Sequence, residues 1–176
     1  MSLVFAAITP HPPMLLSTIG KEKTAELKAT ADAFASLEEK LYIAHPDTII
    51  IFSPHGQLLH DAISINVSPD FDVQLKEFGD LANQQKFKGA IDDAFKLRDS
   101  IRAAGIPLNI YTSKELDYGV SIPLLFLTRH LPNVKIIPIG NSLLPAKTHF
   151  DFGYQVKEAI LDSNKRVALI ASSDLS

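Results

Sequence analysis

Two short histidine motifs, each placed directly after an apolar run, are the residues best suited to chemistry. Thr9-Pro10-His11-Pro12-Pro13 follows the run at residues 3–8, and Ser53-Pro54-His55-Gly56 follows the run at residues 48–52. Both runs are typical of buried strands, and a helical stretch between them predicts a parallel strand-helix-strand unit. If the two strands are neighbours, they lie roughly 5 Å apart. We therefore expect His11 and His55 to leave one sheet edge together and to share a metal ion.

Helical and strand patterns alternate along the chain and predict a three-layer α/β/α fold, with a central sheet that is largely parallel or mixed. Stretches with helical spacing cover residues 21–43, 87–104, 121–129 and 148–161. Further strands are predicted over residues 62–67, 108–111, 134–139 and 167–171. Residues 68–84 have no clean period, and we interpret them as an irregular surface loop, with a lid as the alternative. We predict one domain over residues 1–176.

The composition excludes several classes of protein. A chain of 176 residues with 46% hydrophobic residues can build a core. The net charge of −3, without a basic block, argues against nucleic acid or an anionic membrane as the main partner. The absence of cysteine excludes a disulfide framework, a zinc finger and an iron-sulfur site. No apolar run reaches the roughly 18 residues that a membrane span needs, and we expect a cytoplasmic protein.

Polar residues follow other predicted strands as well, which suggests a pocket at one sheet edge. Asn141 follows one strand, and Ser172-Ser173-Asp174 follows the last strand. The turn Asp117-Tyr118-Gly119 could join them. The sequence has no Gly-rich phosphate loop, nucleophile elbow or HExxH motif, which argues against nucleotide binding and serine-hydrolase chemistry.

Each candidate also has a purely structural interpretation. A lone histidine beside proline is more often a loop residue than a metal ligand. His60 lies five residues after His55 and could line the same pocket or be structural. Ser172 and Ser173 could cap a following helix, and Asp117 could simply hold its turn. The other histidines are weaker candidates, in ordinary helix-end or loop contexts.

Four ordered motifs resemble the class III extradiol ring-cleavage dioxygenases of the LigB type and the related Memo-like proteins. They are the His11 motif, Pro46-Asp47-Thr48 with the His55 motif, Asp117-Tyr118-Gly119 with Pro123-Leu124, and Ser172-Ser173-Asp174-Leu175-Ser176. The similarity runs along essentially the whole chain. LigB-like domains of this kind are often joined to an AMMECR-type domain.

The resemblance implies a non-haem Fe(II) held by two histidines and one glutamate, with three positions left open. A catechol- or aminophenol-type aromatic and O2 would be the substrates. The resemblance places His11 and His55 on the two metal-binding histidines. It places Asp117 and Gly119 on a DHG-like turn near the pocket. Substrate-binding or ligand-supporting positions are then expected at Asp117, Tyr118, Gly119, Ser173, Asp174 and His60.

Three departures from the family pattern affect this expectation. Tyr118 stands where many relatives have histidine, and a phenol is not a base near neutral pH. The family histidine that follows the Ser-Ser-Asp-Leu-Ser segment has no counterpart, because the chain stops at Ser176. The family's later glutamate ligand also has no counterpart. We therefore expect a C-terminally truncated portion of a longer domain, which on its own is inactive.

Three functions remain open at this point. The first is an Fe(II)-dependent extradiol dioxygenase, and the second is a Memo-like module that binds a ligand or peptide without cleaving a ring. The third is a zinc hydrolase, because histidine and carboxylate ligands also bind zinc. A truncated chain would expose apolar surface, so we also expect self-association into a homo-oligomer.

Overall fold

A computed structural model describes residues 2–174, which form a nine-stranded sheet covered by helices. The strands, in chain order, are β1 (Ser2–Thr9), β2 (Thr48–Ser53), β3 (Ile63–Asn66), β4 (Asp70–Val73), β5 (Lys86–Gly89), β6 (Leu108–Tyr111), β7 (Glu115–Leu116), β8 (Lys135–Gly140) and β9 (Arg166–Ser172).

Five α-helices connect these strands in the described part of the chain. They are α1 (Ser17–Gly20), α2 (Lys28–Ala44), α3 (Ile91–Ala103), α4 (Tyr118–Leu127) and α5 (Ala146–Asp162). Three 3-10 turns, Pro13–Leu15, Lys21–Leu27 and Lys76–Phe78, complete the set. Within residues 2–174, no helix combines the length and the apolar character that crossing a bilayer requires.

The centre of the sheet is parallel, and its periphery is mixed. Strands β1, β9, β2 and β8 lie side by side in that order and run in the same direction. Strand β3 pairs antiparallel with β8, and β4 pairs antiparallel with β5. The strands that precede the two histidine motifs are therefore not neighbours, because β9 lies between them. Their carboxyl ends still meet at one edge, since all three strands are parallel.

Alternate residues of β2 pack on opposite sides of the sheet. Ile49 and Ile51 join the core under α2 and α4, whereas Ile50 joins the core under α3 and α5. Both faces of β2 are buried, which explains why its sequence is continuously apolar instead of alternating. The two cores confirm the predicted three-layer α/β/α architecture.

Two predictions for the middle of the chain were wrong. The helix expected from residue 87 starts only at Ile91, because Lys86–Gly89 forms β5. Residues 70–73 form β4 within the stretch that we interpreted as irregular. Phe87 of β5 lies opposite Phe71 of β4, and both are buried. Such a cross-strand pair decides the local structure through a tertiary contact that periodicity does not show.

The first long helix also begins later than its pattern predicts. Residues 21–27 form a 3-10 turn that starts at Lys21, whose φ is 49°, and the α-helix begins at Lys28. Its predicted end is confirmed: α2 stops at Ala44, and His45 takes a left-handed φ of 43°. Pro46 follows, and the residue before a proline is disfavoured in the helical conformation.

Candidate functional site

His11 lies just beyond the end of β1 and is almost completely buried, with 2% of its surface exposed. Its Nδ1 atom is 2.8 Å from Ser172 Oγ at the end of β9. Strand β9 neighbours β1, and Ser172 is the register partner of Thr9, two residues before His11. The sheet register therefore orients this imidazole, and the flanking prolines restrict its loop.

His55 follows β2 and points its Nε2 atom at His11 Nε2, at a distance of 2.9 Å. Its Nδ1 atom is 3.1 Å from Tyr118 Oη, and the two rings stack with centroids 4.1 Å apart. The histidine rings themselves meet edge to face. Both imidazoles thus use Nδ1 for a hydroxyl partner and direct Nε2 toward a common point.

Two imidazole nitrogens that face each other at 2.9 Å need a proton or a cation between them, because their lone pairs repel. Either one Nε2 carries a proton and donates it to the other, or both lone pairs bind one cation. The pKa of His11 is lowered, mainly by burial, with His55 acting in the same direction and Asp174 and Asp117 opposing it. The neutral form that burial favours is also the form that binds metals.

Asp174 brings a carboxylate to the same point. Its Oδ1 atom lies 3.1 Å from His11 Nε2, although its side chain is 76% exposed. One ligand atom from each of His11, His55 and Asp174 lies within 4.8 Å of the others. This group could hold a metal ion.

The donor types test the fit of such an ion. Two imidazoles and one carboxylate are the ligands typical of non-haem Fe(II) oxygenases, and zinc binds the same ligand types.

The predicted Asp117 turn is in fact the start of a helix. Asp117 is the N-cap of α4, and its Oδ1 atom accepts from Val120 N at 3.1 Å and from Ser53 Oγ at 2.5 Å. Ser53 Oγ in turn accepts from His55 N at 3.1 Å. These bonds tie the start of α4 to the loop that carries His55.

Gly119 allows the close approach of these two segments. A Cβ atom at Gly119 would overlap Ser53 Oγ and would lie 3.1 Å from Cδ2 of His55. Only glycine therefore fits beside the imidazole without moving it.

Tyr118 is the residue of α4 that reaches the histidine pair. Its pKa is raised by burial and, in decreasing order, by the negative charges of Asp174, Glu77 and Asp117. The phenol therefore keeps its proton near neutral pH. It can donate to His55 Nδ1 or accept from it, depending on which nitrogen carries the histidine proton.

The remaining predicted residues differ in how closely they join the site. Ser173 donates its backbone N–H to the Thr9 carbonyl at 3.0 Å and so extends the ladder of β9. Asn141 lies at the same edge, where its N–H donates to the Ser53 carbonyl at 3.1 Å. His60 is exposed, and it lies outside the group of converging ligand atoms found within residues 2–174.

Two residues at the site were missed from the sequence. Ser53 lies within the quoted motif but was not recognised as the link between Asp117 and His55. Phe78 packs edge to face on Tyr118, with ring centroids 5.2 Å apart. Its stretch shows no period, so the only local signal was an isolated aromatic in a polar segment.

Comparison with known proteins identifies a matching family and a similar fold. Residues 5–176 match the family described as the catalytic LigB subunit of aromatic ring-opening dioxygenase. A solved structure, the uncharacterized protein JW3007 from Escherichia coli K12, matches with a TM-score of 0.58 and 16% identity, over 81% of this chain and 52% of that one. At this identity the solved structure supports the fold alone.

Two curated relatives cover essentially all of this chain. Protein CA_C1420 of Clostridium acetobutylicum is 28% identical over 185 residues, which is 100% of this chain and 40% of the relative. A MEMO1 family protein of Methanococcoides burtonii is 25% identical over 174 residues, which is 98% of this chain and 54% of the relative. The chain thus spans about half the length of these relatives, or less.

Proposed function

We propose that this chain, which belongs to the LigB family, carries the metal-binding part of a ring-opening dioxygenase for catechol- or aminophenol-type aromatics and O2. The proposal depends above all on the facing Nε2 atoms of His11 and His55, 2.9 Å apart, with the Asp174 carboxylate 3.1 Å from His11. Membership of the family supports the reaction class. We further propose that residues 1–176 fold as one domain.

His11, His55 and Asp174 are the proposed ligands of one Fe(II). The bound ion would supply a redox-active Lewis acid with free positions for the two ring oxygens and for O2. The resemblance assigns the carboxylate ligand to a glutamate, and we expected Asp174 only near the substrate. Its position beside His11 Nε2 favours the ligand role.

The hydroxyl partners decide where the histidine protons lie. Metal binding needs the Nε2 lone pairs of both rings, so each proton must be on Nδ1. His11 then donates from Nδ1 to Ser172 Oγ, and His55 donates from Nδ1 to Tyr118 Oη. Tyr118, as the acceptor of that bond, has its own O–H free to donate to a bound substrate oxygen. Partners of this kind orient ligand histidines and strengthen their binding.

A binding module without ring cleavage is the second candidate, and Tyr118 is the observation that favours it. The residue stands where many relatives of the LigB type have histidine, and its raised pKa keeps the phenol protonated. It therefore cannot act as a base near neutral pH. One relative is named as a MEMO1 family protein, which supports this Memo-like alternative.

Anaerobic loading with Fe(II), followed by O2-uptake assays, tests the first candidate. The full-length protein would be tested against a panel of catechols and aminophenols, because this chain, which spans about half the length of its relatives or less, is expected to be inactive alone. His11→Ala serves as the inactive variant and His60→Ala as the matched control. We expect uptake that depends on iron and on His11 but not on His60. Stoichiometric iron with no uptake across the panel, while a panel member binds, would favour the binding module instead.

Metal selectivity separates both candidates from a zinc hydrolase. The protein would be produced in iron-rich and in zinc-rich medium, and its metal content would be measured after purification. We expect iron to be retained in the first medium, because two imidazoles and one carboxylate are the ligand type of non-haem Fe(II) sites. Zinc retained from both media would support the hydrolase.

A further inference from the structure

A short hairpin contacts the proposed site through the Phe78 ring, which packs on Tyr118. Leu75 and Asp80, both buried, form an isolated antiparallel bridge at its base. Between them a single 3-10 turn, Lys76–Phe78, ends at Gly79, whose φ of 76° closes the turn. Lys76 and Glu77 of the hairpin line an open cavity of about 400 Å³ together with Asp117.

Asp80 is a buried carboxylate that is held by hydrogen bonds and has no cationic partner among the ion pairs of residues 2–174. Its Oδ2 accepts from Thr18 Oγ1 at 2.8 Å and from Asn83 Nδ2 at 2.5 Å. Its Oδ1 accepts from the N–H groups of Ala82 and Asn83, at 2.8 and 3.2 Å. Hydrogen bonds to a charged group are the stronger kind.

The Thr18 bond connects the hairpin to a distant part of the chain. Thr18 lies on α1, which follows the proline-rich loop of His11, and it is 62 residues from Asp80 in sequence. The carboxylate therefore joins the hairpin to the segment that carries a proposed metal ligand. A loop with only local hydrogen bonds would have no such fixed position.

Phe78 is the side chain that this arrangement places over the site. Its ring packs edge to face on Tyr118, with centroids 5.2 Å apart, and Tyr118 stacks on His55. Phe78 is partly buried against the same core that includes Tyr118. A displaced hairpin would uncover the Tyr118 ring.

We propose that Asp80 is a positioning residue, which fixes the hairpin so that Phe78 covers Tyr118 and forms the outer aromatic wall of the pocket. The inference rests on the proposed function only for the identity of the molecule in the pocket, a substrate with a flat aromatic ring. Offset and edge-to-face contacts with Phe78 would orient that ring above the histidine pair. Asp80 would act on the substrate through Phe78 and not by contact.

Nitration of tyrosine by tetranitromethane, mapped by mass spectrometry, measures this cover without metal or substrate. The chain has four tyrosines and no cysteine to consume the reagent. Tyr42, which is 51% exposed, serves as the internal reference. Tyr111, whose pKa is raised mainly by burial, reports any global loosening. We expect the ratio of Tyr118 nitration to Tyr42 nitration to rise about tenfold in Asp80→Asn, because this variant loses the charge-assisted hydrogen bonds that fix the hairpin.

Three further variants make the result specific. Thr18→Val removes one bond with less risk to folding and should raise the ratio by a smaller factor. Asp70→Asn makes the same chemical change at an exposed carboxylate paired with Lys88, and should leave the ratio unchanged. Phe78→Ala should raise the ratio, and adding Asp80→Asn to it should raise it no further, because Asp80 acts through Phe78.

The outcomes separate this inference from the proposed function. Unchanged Tyr118 nitration in Asp80→Asn and Phe78→Ala, with Tyr111 protected, would overturn the inference. If the rise in the nitration ratio of the double variant equals the product of the rises in the two single variants, Asp80 does not act through Phe78. Binding of 4-nitrocatechol to the Fe(II)-loaded protein is scored separately, and Phe78→Ala should weaken it without weakening Fe(II) binding. A wild-type protein that binds iron but no catechol would contradict the proposed function, while the nitration result still decides the role of Asp80.

Discussion

The two sides of the proposed site are built in different ways. The strand-end side consists of His11, His55 and Ser172, at the ends of parallel strands, where Ser172 orients His11 and His55 faces His11. The loop side consists of the Phe78 hairpin and Asp174, whose side chain is 76% exposed. The comparison shows that the sheet preorganises the two imidazoles, while the groups that would meet the substrate depend on a few hydrogen bonds. The predictions below test this division.

The largest effect on stability is expected from crowding the strand-end side. Gly119→Ala places a Cβ against Ser53 Oγ and the His55 ring. We expect a loss of about 1–3 kcal/mol in the free energy of unfolding from overpacking. Fe(II) affinity should fall about tenfold or more, because the imidazole is displaced.

The matched control is Gly153→Ala, in the interior of α5. A Cβ there meets no atom within 4 Å, and alanine is the better helix former. We expect a gain of about 0.5–1 kcal/mol in unfolding free energy and unchanged metal binding. Urea denaturation and anaerobic titration measure both quantities. Equal unfolding free energies of the two glycine variants would show that Ser53 and His55 leave room for a Cβ atom at position 119.

The next largest effect is a loss of Fe(II) affinity when the hydroxyl partner of either histidine is removed. Ser172→Ala removes a buried partner of His11, and Tyr118→Phe removes a partly exposed partner of His55. We expect Fe(II) affinity to fall about 10–100-fold in Ser172→Ala. The fall in Tyr118→Phe should be smaller, because water can replace the lost partner there. A larger effect at Tyr118 than at Ser172 would reverse the proposed division.

A smaller effect, limited to acid pH, is expected on the loop side. Burial raises the pKa of Asp80, but hydrogen bonds from Asn83, Thr18 and two backbone amides outweigh burial and hold the pKa below its ordinary value. A carboxyl group with a lowered folded-state pKa stabilises the fold above its unfolded-state pKa, and this stabilisation disappears as pH falls through the folded-state pKa.

The unfolding free energy of the wild type should therefore fall between about pH 6 and about pH 3 by more than that of Asp80→Asn. Urea denaturation at a series of pH values measures the difference. The far-UV spectrum at neutral pH controls for folding of the variant. Parallel stability profiles for the two proteins would mean that the Asp80 network contributes nothing to the loop side.

The smallest effect concerns a surface that belongs to neither side. Five large apolar side chains are exposed on β1 and α5, namely Leu3, Ile8, Phe150, Tyr154 and Leu161. Within residues 2–174, β1 pairs on one side only, with β9. We expect concentration-dependent self-association by light scattering, reduced in Phe150→Ser, since exposed apolar patches favour association. A monomer at every concentration would contradict this expectation.

The strand-end side was predictable because its signals are local. Apolar runs followed by Pro-His motifs marked the ends of β1 and β2, and the parallel rule brought His11 and His55 to one edge. The condition that β1 and β2 are neighbours is not met, because β9, more than 100 residues after β2, lies between these strands. For the same reason no sequence pattern identified Ser172 as the partner of His11.

The loop side was not predictable because long-range contacts determine its structure. The pairing of Phe71 with Phe87 turns an apparent loop and the start of an apparent helix into strands. The Phe78 ring contacts Tyr118, 40 residues later in the chain, and Asp80 bonds to Thr18, which is 62 residues away. Local propensity has no access to such contacts.

The central claim is that His11 and His55 bind one shared cation, and anaerobic calorimetric titration with Fe(II) tests it most directly. The account predicts one Fe(II) per chain in the wild type and in His60→Ala. In His11→Ala and in His55→Ala separately, affinity should fall by more than the roughly 10–100-fold that loss of a ligand's hydrogen-bond partner costs, since each imidazole is a direct ligand. Wild-type affinity in either of these two variants would contradict a shared site.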